Sequence, residues 1–448
     1  MSNKGKTETG LARYFEFSKH GTNFRREFIA GLTTFMAMAY ILAVNPNILS
    51  NAGLDPDATF TATAIAAVIG TLVMGIVARY PVATAPGMGL NAFFAFSVVL
   101  GMGIPWQTAL AGVFVSGVLT FILALTGIRE LVINAIPSGL KYAVSAGIGL
   151  FIAFVGLQGA NVVTGNPETL VQLGNLADGH VLLALFGIVI TAVLMTRRIN
   201  GAIFYGMVIT AIVGMIFGLI EVPKEFVSAP PAPSAFGAFL DPLLGVKIND
   251  VSFYTVDMLV VVFTFFFVDF FDTAGTLLAT ANQAGLTKND RLPRAGRALA
   301  SDSVATIFGA VVGTSSTTSY IESSAGIGAG GRTGFTSVVT AFFFLLALFF
   351  SPLLSVFTPE VTASALVMVG VLMAANLAKI AWDHIEEAAP AFITAVAMPL
   401  TYSISKGIAL GFILYPLVKI VKGDAKKVHW IMYALFFVFL AYFIWGQD

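Results

Sequence analysis

Residues 261–279, VVFTFFFVDFFDTAGTLLA, place Asp269 and Asp272 in a run of phenylalanines and valines suited only to a membrane-spanning helix. An ionised Asp at the bilayer centre costs about 2.5–3.5 kcal/mol even on lenient insertion scales, so an intramembrane carboxylate pair is first read as functional. Three residues apart, the two share one helical face. A third carboxylate, Glu322, lies in GTSSTTSYIESSAGIGAGG (residues 313–331), where apolar sequence gives way to hydroxyls and glycines. Together the three point to a polar cavity at mid-membrane. A structural reading, in which the carboxylates only stabilise helix packing, needs hydroxyl or basic partners, and no Lys or Arg falls inside the spans nearby.

The elements that carry these groups follow from apolar run length. Of 448 residues, 57% are hydrophobic and 11% charged, which describes a polytopic membrane protein. Runs able to cross roughly 30 Å predict fourteen spans: 28–49, 58–78, 83–100, 106–127, 138–157, 180–196 and 200–220, then 258–281, 295–312, 317–331, 335–357, 361–379, 388–404 and 406–421. A further apolar run covers 428–446, either a fifteenth span or an interfacial helix. With the N-terminus cytoplasmic, twenty-one of the 24 Lys and Arg fall on the inner side, leaving Lys224, Lys247 and Lys406 outside. That orientation makes the Pro-rich stretch 222–250 an external linker between two seven-span halves. An odd number of spans per half inverts the second, so a cysteine at residue 235 should be labelled from outside and one at 290 only from inside. No cleaved signal peptide is read in the polar first 27 residues.

Internal similarity agrees with the inversion: Thr34 and Phe35 correspond to Thr264 and Phe265, Asn91 to Glu322, and Ile199, Ile203 and Gly206 to Ile404, Ile408 and Gly411. Spans 3 and 10 share a defect. PVATAPGMGLNAFFAF carries Pro81, Pro86, Gly87 and Gly89, and span 10 carries its hydroxyls and glycines, so both should begin extended and turn helical part-way. Gly/Pro-interrupted segments at corresponding positions mark a transporter binding site, because half-helix N-termini present free N–H groups at the midplane. Gly87, Gly89 and Ala92, like Gly326, Gly328 and Gly331, also fit dinucleotide fingerprints, but without the βαβ context that motif requires. There is no nucleotide-binding P-loop.

Other function classes recede on composition. The chain's zero net charge gives nucleic acid no basic patch to bind. Its lack of cysteine excludes disulfides and thiolate metal sites, and the four His residues have no metal-ligand spacing. The basic segment 290–300, DRLPRAGRALA, reads as a topology-setting loop. An anion transporter and a membrane enzyme using paired Asp remain alternatives. Three carboxylates would repel an anion, and no second polar cluster supports the enzyme.

FVDFFDTAGTL, GTSSTTSYIESSAG and ARYPVATAPGMGLNAFF closely resemble the AzgA-like purine permeases of the nucleobase:cation symporter-2 group. The similarity runs from RREFIAGLTTFMAMAYILAVNP to AMPLTYSISKGIALGF, nearly the whole chain. It implies an all-α polytopic membrane protein, a 7+7 inverted-repeat transporter with core and gate domains and short strands in the broken spans 3 and 10. The implied parts are a cytoplasmic segment 1–27, core spans 28–127 and 258–357, gate spans 138–220 and 361–421, an external linker 221–257, and the additional segment 428–446. The implied activity is proton-coupled uptake of hypoxanthine or guanine across the plasma membrane by alternating access, with no cofactor and a homodimer left open. An adenine-preferring permease of the same family is the alternative.

By the same resemblance Asn91, Asp269, Asp272 and Glu322 fall on binding positions. Thr273 stands where uracil- or xanthine-specific relatives commonly carry His, and Asp269 where they carry a longer Glu, which leaves room for a two-ring base. Phe93, Tyr320 and Thr273 are candidate substrate contacts; the phenylalanines of these spans are packing residues by default, of which one or two stack on a planar ligand. Asp269 is expected to meet the purine edge; Asp272, also buried, to orient the broken spans by accepting hydrogen bonds; and Glu322, Asp272 or Asp269 to carry the proton. Oxopurines are flat and edged with alternating donors and acceptors, which carboxylates, an Asn amide and free backbone can read.

Overall fold

The computed structural model describes residues 10–126, 136–287 and 293–445. Lys4, Lys6, Arg129, Lys288, Arg291 and residue 290 of the charge and labelling arguments lie outside them. Ten helices among the described residues are long and apolar enough to cross a membrane, and Met88–Gly101, Ala202–Ile216 and Trp430–Ile444 are shorter apolar helices.

Span 1 is capped by Asn23, whose side chain accepts from Arg26 N at 3.0 Å, and it breaks between Phe24–Met38 and Ile41–Ser50. Tyr40 sits at the break. Span 8, Val256–Gln283, is 28 residues long, about 42 Å at 1.5 Å per residue, longer than the roughly 30 Å of hydrocarbon a span must cross. Its first turn is held by Thr255, which accepts from Met258 N.

Spans 3 and 10 are extended where the sequence breaks them, at Thr84–Pro86 and Thr317–Ser319. Bare strands in a bilayer leave costly unpaired backbone groups. The two solve this by pairing antiparallel with each other, Thr84 opposite Ser319, Ala85 opposite Thr318 and Pro86 opposite Thr317. Flanking bonds extend the ladder: Gly87 N donates to Ser316 O and Tyr320 N to Ala83 O, each at 2.9 Å. The hydroxyl-rich composition supplies the rest. Thr84 N donates to Thr71 Oγ1 at 3.0 Å and Ala83 N to Ser323 Oγ at 3.0 Å. Thr71 Oγ1 also donates to Thr84 O, as Thr306 Oγ1 does to Thr317 O, so each strand is clasped by the span before it, a contact repeated across the inversion.

The spans pack in two groups. Spans 1–4 and 8–11 surround the crossing, while spans 5, 6, 7, 12, 13 and 14 pack on one another. Spans 5 and 12 approach at Gly149 and Gly370, where a Cβ on either would come within 3.0 Å of the other's carbonyl oxygen. Span 10 packs as tightly on span 1: a Cβ at Gly326 would lie 2.0 Å from Thr34 Oγ1 and 2.4 Å from Ala30 O, whereas one at Gly328 meets only Gln283 Nε2 at 3.9 Å. Gly326→Ala should therefore destabilise the protein by about 1–3 kcal/mol through overpacking, and Gly328→Ala should be neutral. Thermal unfolding of both purified variants in detergent checks this; equal melting temperatures would refute the close packing.

The segment beyond the seven-plus-seven pattern, Trp430–Trp445, runs antiparallel along span 14. Tyr433 Oη donates to Ala425 O, past the C-terminus of Ile404–Lys422, and Tyr442 bonds Ser405 at its start. Midway, Phe439 is buried edge-on against Phe263 and Phe412. At 16 residues this helix is among the shorter apolar ones.

At the N-terminal side, Glu27 is fully buried and ties span 1 to the start of span 11. It accepts from Thr22 Oγ1, Arg332 N, Thr333 N and Oγ1, and Thr336 Oγ1. At the opposite, linker side, Ser228 N donates to Phe349 O and Gly237 N to Val311 O.

Candidate functional site

The strand crossing gathers three polar clusters. In the first, Tyr40 Oη donates to Glu322 Oε1 at 2.5 Å, so the break in span 1 puts a hydroxyl on the carboxylate at the start of the span 10 half-helix, Ser323–Gly328. Tyr320 Oη donates to Pro86 O at 2.5 Å, and Asp272 lies within Coulombic reach of Glu322 and Tyr320. The second cluster lies behind the strands. Asp302 of span 9 accepts from Thr273 Oγ1 at 2.8 Å through one oxygen and from Ser319 Oγ at 2.7 Å through the other. Asp269 Oδ2 lies 3.3 Å from Thr306 Oγ1, whose one proton it shares with the nearer Thr317 O at 2.9 Å, while its Oδ1 is buried with no donor. In the third, Ser315 Oγ donates to Asn91 Oδ1, and Asn91 Nδ2 reaches Pro86 O at 3.5 Å. Among the described residues no Lys or Arg pairs with any of these four carboxylates.

Asp272, Gly275, Ala279 and Asn282 form an exposed stripe along span 8 toward the N-terminal side, and Lys141 of span 5 lies over the Phe271 ring, its Nζ 5.3 Å from the centroid. Toward the linker side, Tyr402 packs edge-on against Phe96, Phe151 and Phe154, and Ile404 N donates to Ser97 Oγ at 3.1 Å. Polar groups thus gather at the meeting point of two half-helices, with an exposed stripe of span 8 on one side and an aromatic cluster on the other.

Sequence comparison decides the family. The model of the permease family (Xan_ur_permease) matches residues 25–410. The chain belongs to the permease family. This permease is 56% identical over 97% of its length to guanine/hypoxanthine permease PbuG of Bacillus subtilis, covering 99% of that protein. It is 47% identical to guanine/hypoxanthine permease PbuO of the same organism, over 93% of this chain and 96% of that one. Adenine permease AdeQ of Escherichia coli is 43% identical over 94% of this chain and 93% of its own. In fold, the permease resembles the transmembrane domain of the cyanobacterial bicarbonate transporter BicA, with TM-score 0.63 at 15% identity over 87% of this chain and 97% of that one. SLC26A9 gives TM-score 0.62 at 12% identity over 92% of this chain and 67% of its own. The permease is thus a multi-pass transporter of core-and-gate fold and not an enzyme.

The structure changes several details read from the permease's sequence. Asp272 is exposed rather than buried, because the face it shares with Gly275 and Ala279 is the one span 8 leaves uncovered. It accepts no hydrogen bond among the described residues, whereas Asp302 of span 9 accepts from Ser319 of the span 10 strand. Phe93 is fully buried edge-on against Phe265, ring centroids 4.8 Å apart, and in this conformation its ring fronts no open space. The Thr273 hydroxyl is engaged by Asp302, and Asn91 and Tyr320 are committed to the strand region.

Tyr40, Asp302, Thr306 and Ser315 escaped the reading of the sequence. The rule that flagged Asp269 also flags Asp302, a carboxylate inside an apolar span, but Asp302 follows directly on the basic segment 290–300 that reads as a loop. Tyr40 carries no such signal, being one aromatic among many.

Proposed function

We propose that this permease imports guanine and hypoxanthine across the plasma membrane together with a proton, with its N-terminus in the cytoplasm. The observation that carries the reading is the unpaired acceptor Asp269 Oδ1, fully buried behind the strand crossing. A buried acceptor without a donor costs about 1–3 kcal/mol, which a ring N–H or amino group of a base would relieve. The names of the relatives supply the class, guanine/hypoxanthine carriers at 56% and 47% identity and an adenine carrier at 43%.

Asn91 and Glu322 are assigned to the remaining edge of the base, with Tyr320 and, after rearrangement, Phe93 against its face. Thr273 shapes the site through Asp302. Asp272, on the exposed stripe of span 8, is assigned as the carboxylate that a proton or substrate from the cytoplasm meets first. In this reading spans 1–4 and 8–11 form the moving core and spans 5–7 and 12–14 the gate. The bicarbonate transporter and SLC26A9 share the fold, but an inorganic anion would meet Asp269, Asp272, Asp302 and Glu322 with no cation paired to them.

Uptake of radiolabelled hypoxanthine, competed by unlabelled guanine, adenine, xanthine and uracil, tests the assignment. Guanine should compete fully and uracil not at all; competition by adenine alone would move the permease to the adenine class.

Orientation is tested in this cysteine-free chain. Ala235 is covered against Gly313 and gives a poor probe, whereas Ser234 in the linker and Asn200 between spans 6 and 7 are exposed. Ser234→Cys should react with an impermeant maleimide in intact cells and Asn200→Cys only after permeabilisation. The reverse pattern would overturn the proposed orientation.

A further inference from the structure

Between the two groups of spans, in the linker-side half of the membrane, lies a cleft of about 460 Å³, within the ~300–1,000 Å³ range of small-molecule sites. Spans 1, 2 and 11 form one wall, with Tyr40, Phe60, Leu346 and Phe350. Span 7 forms the other, with Val208 and Ile212. The lining is hydrocarbon except for the Tyr40 hydroxyl, which is turned away to Glu322. Water has no partner there, and apolar cavities of this kind stay dry.

We propose that this cleft binds one phospholipid acyl chain as a removable packing element at the seam between core and gate. Its occupant is fixed by what lies outside it. Ile212, Leu346 and Phe350 are exposed at 46%, 40% and 46%, so the lining continues onto the outer surface of the spans, where the surrounding medium is lipid tail. The position gives the site a consequence. One wall belongs to the group carrying the strand crossing and the other to the opposed group, so movement between them must change the volume of the cleft. Close-packed side chains tolerate such a change poorly, whereas a flexible chain can enter or leave. Tyr40 is part of the lining, so the same occupant would pack beside the residue whose hydroxyl bonds Glu322.

The test uses the full chain reconstituted in phosphatidylcholine carrying a photoactivatable diazirine midway along one acyl chain, with peptide mapping of the adducts. Adducts should concentrate on residues 204–215 and 346–354 relative to the exposed Val189 and Val193 face of span 6, and a headgroup diazirine should not label the cleft. Val208→Trp, which fills the cleft from the gate side, should lose the enrichment. Equal labelling of the cleft and of span 6 in the unmodified chain would overturn the proposal, whether or not the variant folds. Undiminished enrichment in a folded Val208→Trp protein would overturn it as well.

Discussion

Glu322→Gln should abolish accumulation of hypoxanthine or guanine against a gradient and weaken binding by between about ten- and a hundredfold, since a hydrogen bond to a charged group is worth roughly 1.5–3 kcal/mol and each 1.4 kcal/mol is tenfold. Glu322 sits where two requirements meet. It stands at the start of the span 10 half-helix, and it takes the Tyr40 hydroxyl at 2.5 Å with no cation to balance it among the described residues. An ionised carboxylate sealed away from water without a counter-charge is costly, so a carrier that closes around Glu322 closes more readily once a proton has joined it. Gln keeps the shape, but it neither titrates nor accepts through two oxygens. The variant should therefore lose concentrative uptake more completely than it loses nucleobase exchange between two equilibrated compartments.

Tyr40→Phe provides the companion measurement, because it removes the donor and leaves the carboxylate. It should slow uptake by about tenfold, in keeping with a lost charge-assisted hydrogen bond, and should retain proton coupling. Near-normal accumulation by Glu322→Gln would remove this residue from the coupling step.

How far the sequence carries can be judged at these positions. The broken spans were legible because Pro81, Pro86 and the run GTSSTTSY cannot make helix, and the same logic foretold that both segments start extended. Their pairing register was not legible, since it depends on which side each strand enters from and on hydroxyls such as that of Thr71 on other spans. Asp269 was legible as a buried carboxylate. Helical spacing grouped Asp272 with it, but the two differ in burial because one face of a helix 28 residues long can be covered at one turn and open at the next. Tyr40 shows a different limit. Its role depends on a helix break that brings residues 40 and 322 together, a long-range contact that span-by-span hydropathy does not contain.

Asp302→Ala should reduce transport of every purine to a few per cent or less while leaving their competitive ranking unchanged. The Asp302 side chain is buried and bridges two elements that must stay in register, accepting from Thr273 on span 8 and from Ser319 on the span 10 strand. Its removal leaves two buried hydroxyls without their acceptor, each at about 1–3 kcal/mol, and detaches the strand from span 8. No atom of Asp302 needs to touch the base for this to happen, so the loss should fall alike on hypoxanthine, guanine and adenine. Asp269→Glu is the contrasting variant. Its carboxylate is the one with a free buried oxygen, and an added methylene moves that acceptor within a site that discriminates through unpaired polar groups. That variant should lower uptake through overpacking and also reorder the competing bases. Competition profiles for the two variants separate the roles: a changed ranking for Asp302→Ala beside an unchanged one for Asp269→Glu would make Asp302 the residue that meets the substrate and Asp269 its support.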